Sequence, residues 1–263
     1  MNRIDTFFDK NRPIKRKALI AYLTVGYPTA EATLEIAKSL VDGGCDMIEL
    51  GIPFSDPLAD GATIQRASQR ALESGITPRK CLDAAAELRK RVDIPLLFMG
   101  YYNPMLHYGL DKFCAASHKA GIDGFIIPDL PPDEGGEAEA VMQKHGLDLV
   151  YLVAPTSDTD KRLRFIADRA HGFIYVVSLK GVTGARAAIS NDLDEFISRV
   201  RNVTDKPLCV GFGISTPEQA QRVARLADGV IIGSRIIDIV EKSRRPAADA
   251  KAFIAEVRAA IDS

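Results

Sequence analysis

Met47-Ile48-Glu49-Leu50-Gly51-Ile52-Pro53-Phe54-Ser55-Asp56-Pro57-Leu58-Ala59-Asp60-Gly61 opens as a strand and breaks at Pro53 into a polar loop carrying Pro57 and Gly61. Side chains on a strand alternate, so Met47, Glu49 and Gly51 share one face while Ile48, Leu50 and Ile52 share the other. The second face is uniformly apolar and wants helices packed over it. Glu49 therefore points into whatever the sheet encloses. An isolated buried carboxylate is costly, and the cost shows as a raised pKa that leaves it partly protonated near neutrality. That is the state wanted of a general acid/base. Asp60 follows on a loop able to fold back over the same strand end, and two carboxylates in different environments are a natural way to divide proton-transfer roles. Each has a competing reading: Glu49 as an interior carboxylate paired with a lysine or tyrosine, Asp60 as the cap of a helix beginning near Thr63.

Outward from this stretch, strand-like and helix-like runs alternate to both ends of the chain. Strands are expected at Ala18–Val25, Asp46–Ile52, Pro95–Gly100, Gly124–Pro128, Asp148–Ala154, Gly172–Ser178, Pro207–Gly211 and Gly229–Ile232. Most are short and rich in Val, Ile and Leu, as strands buried on both faces must be. Amphipathic helices are expected between them at Thr29–Asp42, Pro78–Val92, Leu110–Ala120, Glu134–His145, Asp158–Ala170, Asp192–Val203 and Pro217–Ala227. The alternation argues for one α/β domain over residues 1–263, a closed (β/α)8 TIM barrel, with an open doubly wound sheet as the alternative. Ile4, Phe7 and Phe8 fall at helical spacing ahead of the first strand, so an extra N-terminal helix should close the bottom of the barrel.

Composition narrows the function. The 263 residues suit one such barrel, and 46% hydrophobic with 26% charged residues is ordinary for a globular domain. A net charge of −1 with interspersed signs argues against nucleic acid as a partner. No apolar run approaches the ~18 residues of a membrane span, and Met1-Asn2-Arg3-Ile4-Asp5 lacks the apolar core of a signal peptide. Cys45, Cys81, Cys114 and Cys209 are scattered without paired spacing and read as reduced thiols of a cytoplasmic protein. Neither they nor the four histidines show metal-ligand spacing, so no metal is expected.

Barrel chemistry sits where strands end. Three glycine-bearing loops follow late strands: Lys180-Gly181-Val182-Thr183-Gly184-Ala185, Gly211-Phe212-Gly213-Ile214-Ser215 and Ile232-Gly233-Ser234-Arg235. Glycine admits a ligand close to the backbone. The segments after the last two should present free N–H groups at helix starts, a ready anion site. Gly184, Gly213, Gly233 and Ser234 are thus expected to hold a phosphate.

These motifs carry a resemblance. The run Leu50–Gly61, Gly181-Val182-Thr183-Gly184 and Gly211-Phe212-Gly213-Ile214-Ser215 are similar to those of the tryptophan synthase α subunit family, and the likeness extends from the N-terminal helix to the final helix. The resemblance implies cleavage of indole-3-glycerol phosphate to indole and glyceraldehyde 3-phosphate, a retro-aldol reaction without cofactor. It makes Glu49 the acid/base that protonates indole C3 and helps deprotonate the glycerol hydroxyl. Asp60 would accept the indole N–H, and Thr183 would orient Asp60. Such chemistry needs C3 protonated, a carboxylate beside the charged indolenine nitrogen, and a dry site. It also needs an apolar slot for the ring, for which Tyr22, Tyr101, Ile126, Tyr175 and Phe212 lie at or near strand ends.

Two positions depart from the family pattern: Tyr22 where phenylalanine is familiar, and Leu179 where some members carry a basic residue. Two other functions compete, a phosphate-binding barrel isomerase or cyclase and a non-catalytic regulatory subunit. The first usually needs a lysine or second aspartate at strand ends, and retention of Glu49 and Asp60 speaks against the second. The loop Pro53–Asp60 and the loop Tyr102–Tyr108 are apolar for surface segments, which suggests a docking face around the mouth. The resemblance implies a pyridoxal-phosphate-bearing β subunit as the partner, with Pro53, Asp56, Asn103 and Pro104 in the contact.

Overall fold

The computed structural model describes residues 2–157, 159–177, 191–211 and 213–263. Nine parallel strands form one sheet: β1 (Ala18–Thr24), β2 (Met47–Gly51), β3 (Leu96–Met99), β4 (Gly124–Ile126), β5 (Asp148–Val150), β6 (Leu152–Val153), β7 (Ile174–Val177), β8 (Leu208–Gly211) and β9 (Gly229–Ile232). Their order is β5-β4-β3-β2-β1-β9-β8-β7-β6. The two ends of that row, β5 and β6, are separated only by Tyr151, so one continuous run joins them and the sheet closes into the expected barrel. The single strand expected at Asp148–Ala154 is divided at Tyr151. The buried Tyr151 hydroxyl donates to Glu139 Oε1 at 2.6 Å, and its carbonyl still accepts the Tyr175 N–H at 3.0 Å.

Alternation along the strands builds two apolar cores. Inward side chains, among them Met47, Leu97, Ile126, Val150, Cys209 and Ile231, fill the barrel. Outward ones, such as Ile48, Leu50 and Phe98, pack under the surrounding helices. The face assignment read from the Met47–Ile52 pattern therefore holds. The helix Arg3–Asn11 plugs the barrel from below: Asn2 caps it by accepting the Ile4 and Asp5 N–H groups, Ile4 is fully buried, and the Phe8 ring lies 6.0 Å from that of Phe173. Four further helices were not among those expected from periodicity: Ala62–Glu73, Tyr102–Tyr108, Ser234–Lys242 and Pro246–Asp262. Tyr102–Tyr108, expected as a loop, winds because the carboxylate of Asp129 accepts its first N–H at 3.0 Å. Among the described residues no helix is long and apolar enough to cross a membrane.

Aspartates at the strand starts tie the bottom of the barrel. Asp46 accepts the Leu19 N–H, Asp123 that of Leu96 and Asp228 that of Leu208, each at 2.9 Å. Arginines neutralise all three: Arg258 and Arg16 on Asp46, Arg89 and Arg3 on Asp123, Arg201 on Asp228. Asp148 is different. It is buried, no cation pairs with it among the described residues, and its Oδ2 has no hydrogen-bond partner. Burial pushes its pKa up to about 7, with a hydrogen bond from Asn2 opposing and Asp5 and Asp123 adding to the rise. A folded-state pKa above the unfolded one means that ionisation opposes folding, so stability falls as pH rises from about 4 through about 7. Asp148→Asn should remove that slope and raise stability at pH 8 by on the order of 2 kcal/mol. Urea denaturation at pH 5 and pH 8 checks it. An unchanged pH slope would refute the account.

Candidate active site

Glu49 lies in mid-strand on β2, in register with Tyr22 on β1 and Leu97 on β3. It is wholly buried, and among the described residues neither carboxylate oxygen has a hydrogen-bond partner. Burial alone pushes its pKa up to about 8. At neutral pH the group is chiefly a neutral acid, held where nothing among the described residues takes the proton. The described residues thus offer no lysine or tyrosine hydrogen-bonded to Glu49.

Asp60 sits on the loop after β2, partly exposed. Burial pushes it up to about 6, and a hydrogen bond with Tyr101 draws it back toward the charged form. Three contacts set the loop. Tyr101 Oη accepts the Ala59 N–H at 2.9 Å, the Asp60 N–H donates to the Pro57 carbonyl at 3.1 Å, and Gln65 Nε2 donates to the Asp60 carbonyl at 2.9 Å. Asp60 does not cap the helix Ala62–Glu73: Gly61 holds that position, with no side-chain cap bond. Its carboxylate is thus left to the site. The two carboxylates differ in the way proton transfer requires, one neutral and dry, the other charged and nearer water.

Two tyrosines lie close enough to Glu49 to feel its charge. A Cβ at Gly51 would stand 2.1 Å from Tyr22 Oη, and one at Gly211 would stand 2.2 Å from Tyr175 Oη. Each glycine is thus the seat of a hydroxyl reaching over from the neighbouring strand region, a requirement that strand periodicity could not reveal. Burial holds both phenols far above their ordinary ionisation, and the charges of Glu49 and Asp60 raise them further. Both therefore stay neutral. The Tyr22 hydroxyl lies 3.3 Å from Thr24 Oγ1, so this wall of the slot is polar at its edge. Tyr22, Ile126 and Tyr175 belong to the same interior cluster, while Tyr101 packs at a tilt against Phe54 with ring centroids 5.2 Å apart. Thr183, Gly184 and Phe212 lie outside the described residues.

The expected anion site is only partly as the sequence suggested. At the start of the helix Ser234–Lys242 the Gly233 carbonyl accepts the Ile236 and Ile237 N–H groups, at 2.8 and 3.1 Å. Among the described residues the Ser234 and Arg235 amides have no acceptor, as an uncapped helix start leaves them. Gly213 has φ +79° and open space where a Cβ would be. The helix behind it offers fewer donors than expected: Pro217 lacks an N–H, Thr216 caps the Gln219 N–H, and Gln219 Oε1 accepts the Ser215 N–H at 2.8 Å. Open clefts of about 530 and 360 Å³ flank the N-terminal helix at the opposite end of the barrel and touch neither carboxylate.

Around the mouth, Pro53 is buried by its own chain and Phe54 half-buried, but Asp56 is exposed and Leu58 is 96% exposed. On Tyr102–Tyr108, Met105 is buried, Pro104 is half-buried, and Asn103 and Leu106 face outward.

Known proteins share this arrangement. The profile of the family Tryptophan synthase alpha chain matches residues 8–262. A tryptophan synthase alpha chain of Dehalococcoides mccartyi is 52% identical over 263 residues, covering 100% of both chains, and one of Chloroflexus aggregans is 53% identical over 92% of this chain and 91% of its own. Among solved structures, tryptophan synthase subunit alpha of Legionella pneumophila superposes with a TM-score of 0.93 at 40% identity, covering 100% of this chain and 99% of that one. A tryptophan synthase chain from M. tuberculosis in an aminoacrylate-bound form gives 0.89 at 37% identity, covering 99% and 100%. With identities of this size running the full length of the barrel, and the motif of Glu49 and Asp60 at its mouth, the chain belongs to the tryptophan synthase alpha chain family.

Proposed function

We propose that the chain, acting as one domain, is the carbon–carbon lyase that cleaves indole-3-glycerol phosphate to indole and glyceraldehyde 3-phosphate, with Glu49 and Asp60 as its acid/base pair. The observation that carries the assignment of roles is the partnerless, wholly buried Glu49 beside a second carboxylate of lower pKa. Protonated Glu49 gives its proton to indole C3. The positive charge that this places on the ring nitrogen is stabilised by the Asp60 carboxylate, which accepts the N–H. The bond from C3 to the side chain then breaks, its electron pair returning to the ring and restoring indole. The departing carbon becomes an aldehyde as its hydroxyl proton passes to Glu49. The acid is regenerated, and no proton is gained or lost over the cycle.

The rate should accordingly be bell-shaped in pH, rising as Asp60 ionises near 6 and falling as Glu49 loses its proton near 8. Indole release measured from pH 5 to pH 9 tests this, and a flat profile across that range would remove the two-carboxylate mechanism. Tyr22, Tyr101, Ile126 and Tyr175 supply the apolar slot for the ring. Thr183 steadies Asp60, and Phe212 completes the slot.

The phosphate rests on the backbone at Gly184, Gly213, Gly233 and Ser234. Space at Gly213 and the open amides of Ser234 and Arg235 support this. A valine at Gly233 would set its Cβ 3.2 Å from that of Tyr22 and cover those amides. Gly233→Val should raise KM roughly tenfold or more, the scale of one lost charge-assisted hydrogen bond; an unchanged KM in steady-state assays would place the phosphate elsewhere.

The tryptophan synthase β chain is the partner, docking on Asp56, Leu58, Asn103, Pro104 and Leu106 at the rim, with Pro53 stiffening the loop beneath. Exposed Leu58 and Leu106 beside the mouth support this. Titrating a β chain into the indole-release assay tests it: neither binding nor a change of rate would leave a solitary lyase. Four buried, unpaired thiols fit work in the cytoplasm.

A further inference from the structure

Asp60 is followed directly by the helix Ala62–Glu73, and the anion-facing Ser234 opens the helix Ser234–Lys242. These two helices meet along a polar seam. Thr63, Arg66 and Arg70 form one stripe on the first, and Ser234, Asp238 and Glu241 one stripe on the second, each spaced so that the side chains lie one turn apart. Across the seam Thr63 Oγ1 contacts Asp238 Oδ1 at 3.4 Å, while Glu241 takes Arg66 on one oxygen at 3.5 Å and Arg70 on the other at 3.4 Å. Glu241 is the sheltered member, 23% exposed against 52% and 58% for the arginines. Arg70 is also held over the Tyr27 ring, its guanidinium 5.9 Å from the centroid. At the catalytic end Gln65, on the same first helix, holds the Asp60 carbonyl. A continuous path of contacts thus runs from the amides that would receive the phosphate to the backbone of Asp60.

We infer that this seam makes the placement of Asp60 depend on the anion seated at the start of Ser234–Lys242, with Glu241 and Asp238 as positioning residues that act through the helix Ala62–Glu73. The inference rests on the proposed phosphate site. It gives the phosphate a task beyond affinity: part of the binding energy of a group remote from the broken bond is spent on orienting the acid/base pair. Exposed ion pairs of this kind add little to stability, so the seam's value lies in relaying a small shift of one helix to the other.

The test uses indole-3-glycerol, the substrate without its phosphate, with a tryptophan synthase β chain present and inorganic phosphate as the separate probe. Phosphate should accelerate indole release by the unaltered chain. In Glu241→Gln and Asp238→Asn that acceleration should shrink by at least ~3-fold, the scale of coupling between contacting side chains. Phosphate should also move the acid limb of the pH profile in the unaltered chain and leave it in place in the variants, which a merely structural role would not produce. Equal acceleration in variant and unaltered chain overturns the inference, as does the absence of acceleration where phosphate still competes with the full substrate. Phosphate that neither accelerates nor competes shows instead that the anion site itself is misplaced, and the inference falls with it.

Discussion

Glu49→Gln should lower indole release by at least ~10²-fold while making the protein more stable above neutral pH. Both effects have one origin. The carboxyl is wholly buried without a partner, and its pKa of about 8 stands well above the 4.5 of a free glutamate. A folded-state pKa raised in this direction means that the folded chain binds a proton that the unfolded chain has released, and stability falls as pH rises from about 4.5 to about 8. At pH 7 the penalty is on the order of 3 kcal/mol, of which a buried amide would recover only part, since it too lacks a partner. Denaturant midpoints of the two proteins should converge near pH 5 and diverge toward pH 9. Curves that run parallel across that range would contradict the account, as would a glutamine variant with normal turnover. The site thus holds a group that the fold would be better without.

Asp60→Asn should cost roughly 10- to 10²-fold in turnover and abolish the acid limb near pH 6. The amide oxygen can still accept the indole N–H, so the ring should stay correctly placed and KM should move less than kcat. What is lost is the negative charge opposite the developing cation, an interaction made only in the transition state. Because the variant has no group to ionise there, its profile should be flat below neutrality and decline only as Glu49 titrates. A retained acid limb would mean that another group sets it, and Asp60 would lose its place in the mechanism.

Much of this was legible in the sequence because the deciding interactions are local or periodic. The strand at Met47–Gly51 was expected one residue longer at each end, and its alternation alone turned Glu49 inward. The plug helix was readable from Ile4, Phe7 and Phe8, of which Ile4 and Phe8 are buried beneath the barrel. What stayed hidden depends on partners far along the chain. Tyr102–Tyr108 carries Pro104 and no helical repeat, and it winds on the carboxylate of Asp129, 27 residues away. Gln219 takes the Ser215 donors beside the Gly213 loop by a side-chain contact that composition does not announce. Gly51 reads as a strand residue beside Glu49 and Gly211 as the start of a glycine loop, yet each receives a tyrosine from another strand. The ion pairs that join Ala62–Glu73 to Ser234–Lys242 span about 170 residues of sequence and leave no pattern in it.

The division of one strand at Tyr151 bears on how the barrel comes apart. β5 is hydrogen-bonded to β4 through three paired residues and β6 to β7 through two, whereas β1 and β2 share five. The β6 ladder is therefore as short as that of β8 with β9, which also share two, but β5 and β6 alone have no partner on their second edge, the ring being closed there only by the chain through Tyr151. A ring opens most readily where its strands are paired on one side only, so amide exchange should report a partial opening around Leu149–Val153 at lower free energy than global unfolding. Such an opened form uncovers two strand edges, those of β4 and β7, each able to template another chain. Slow aggregation under mildly denaturing conditions should therefore begin at this junction.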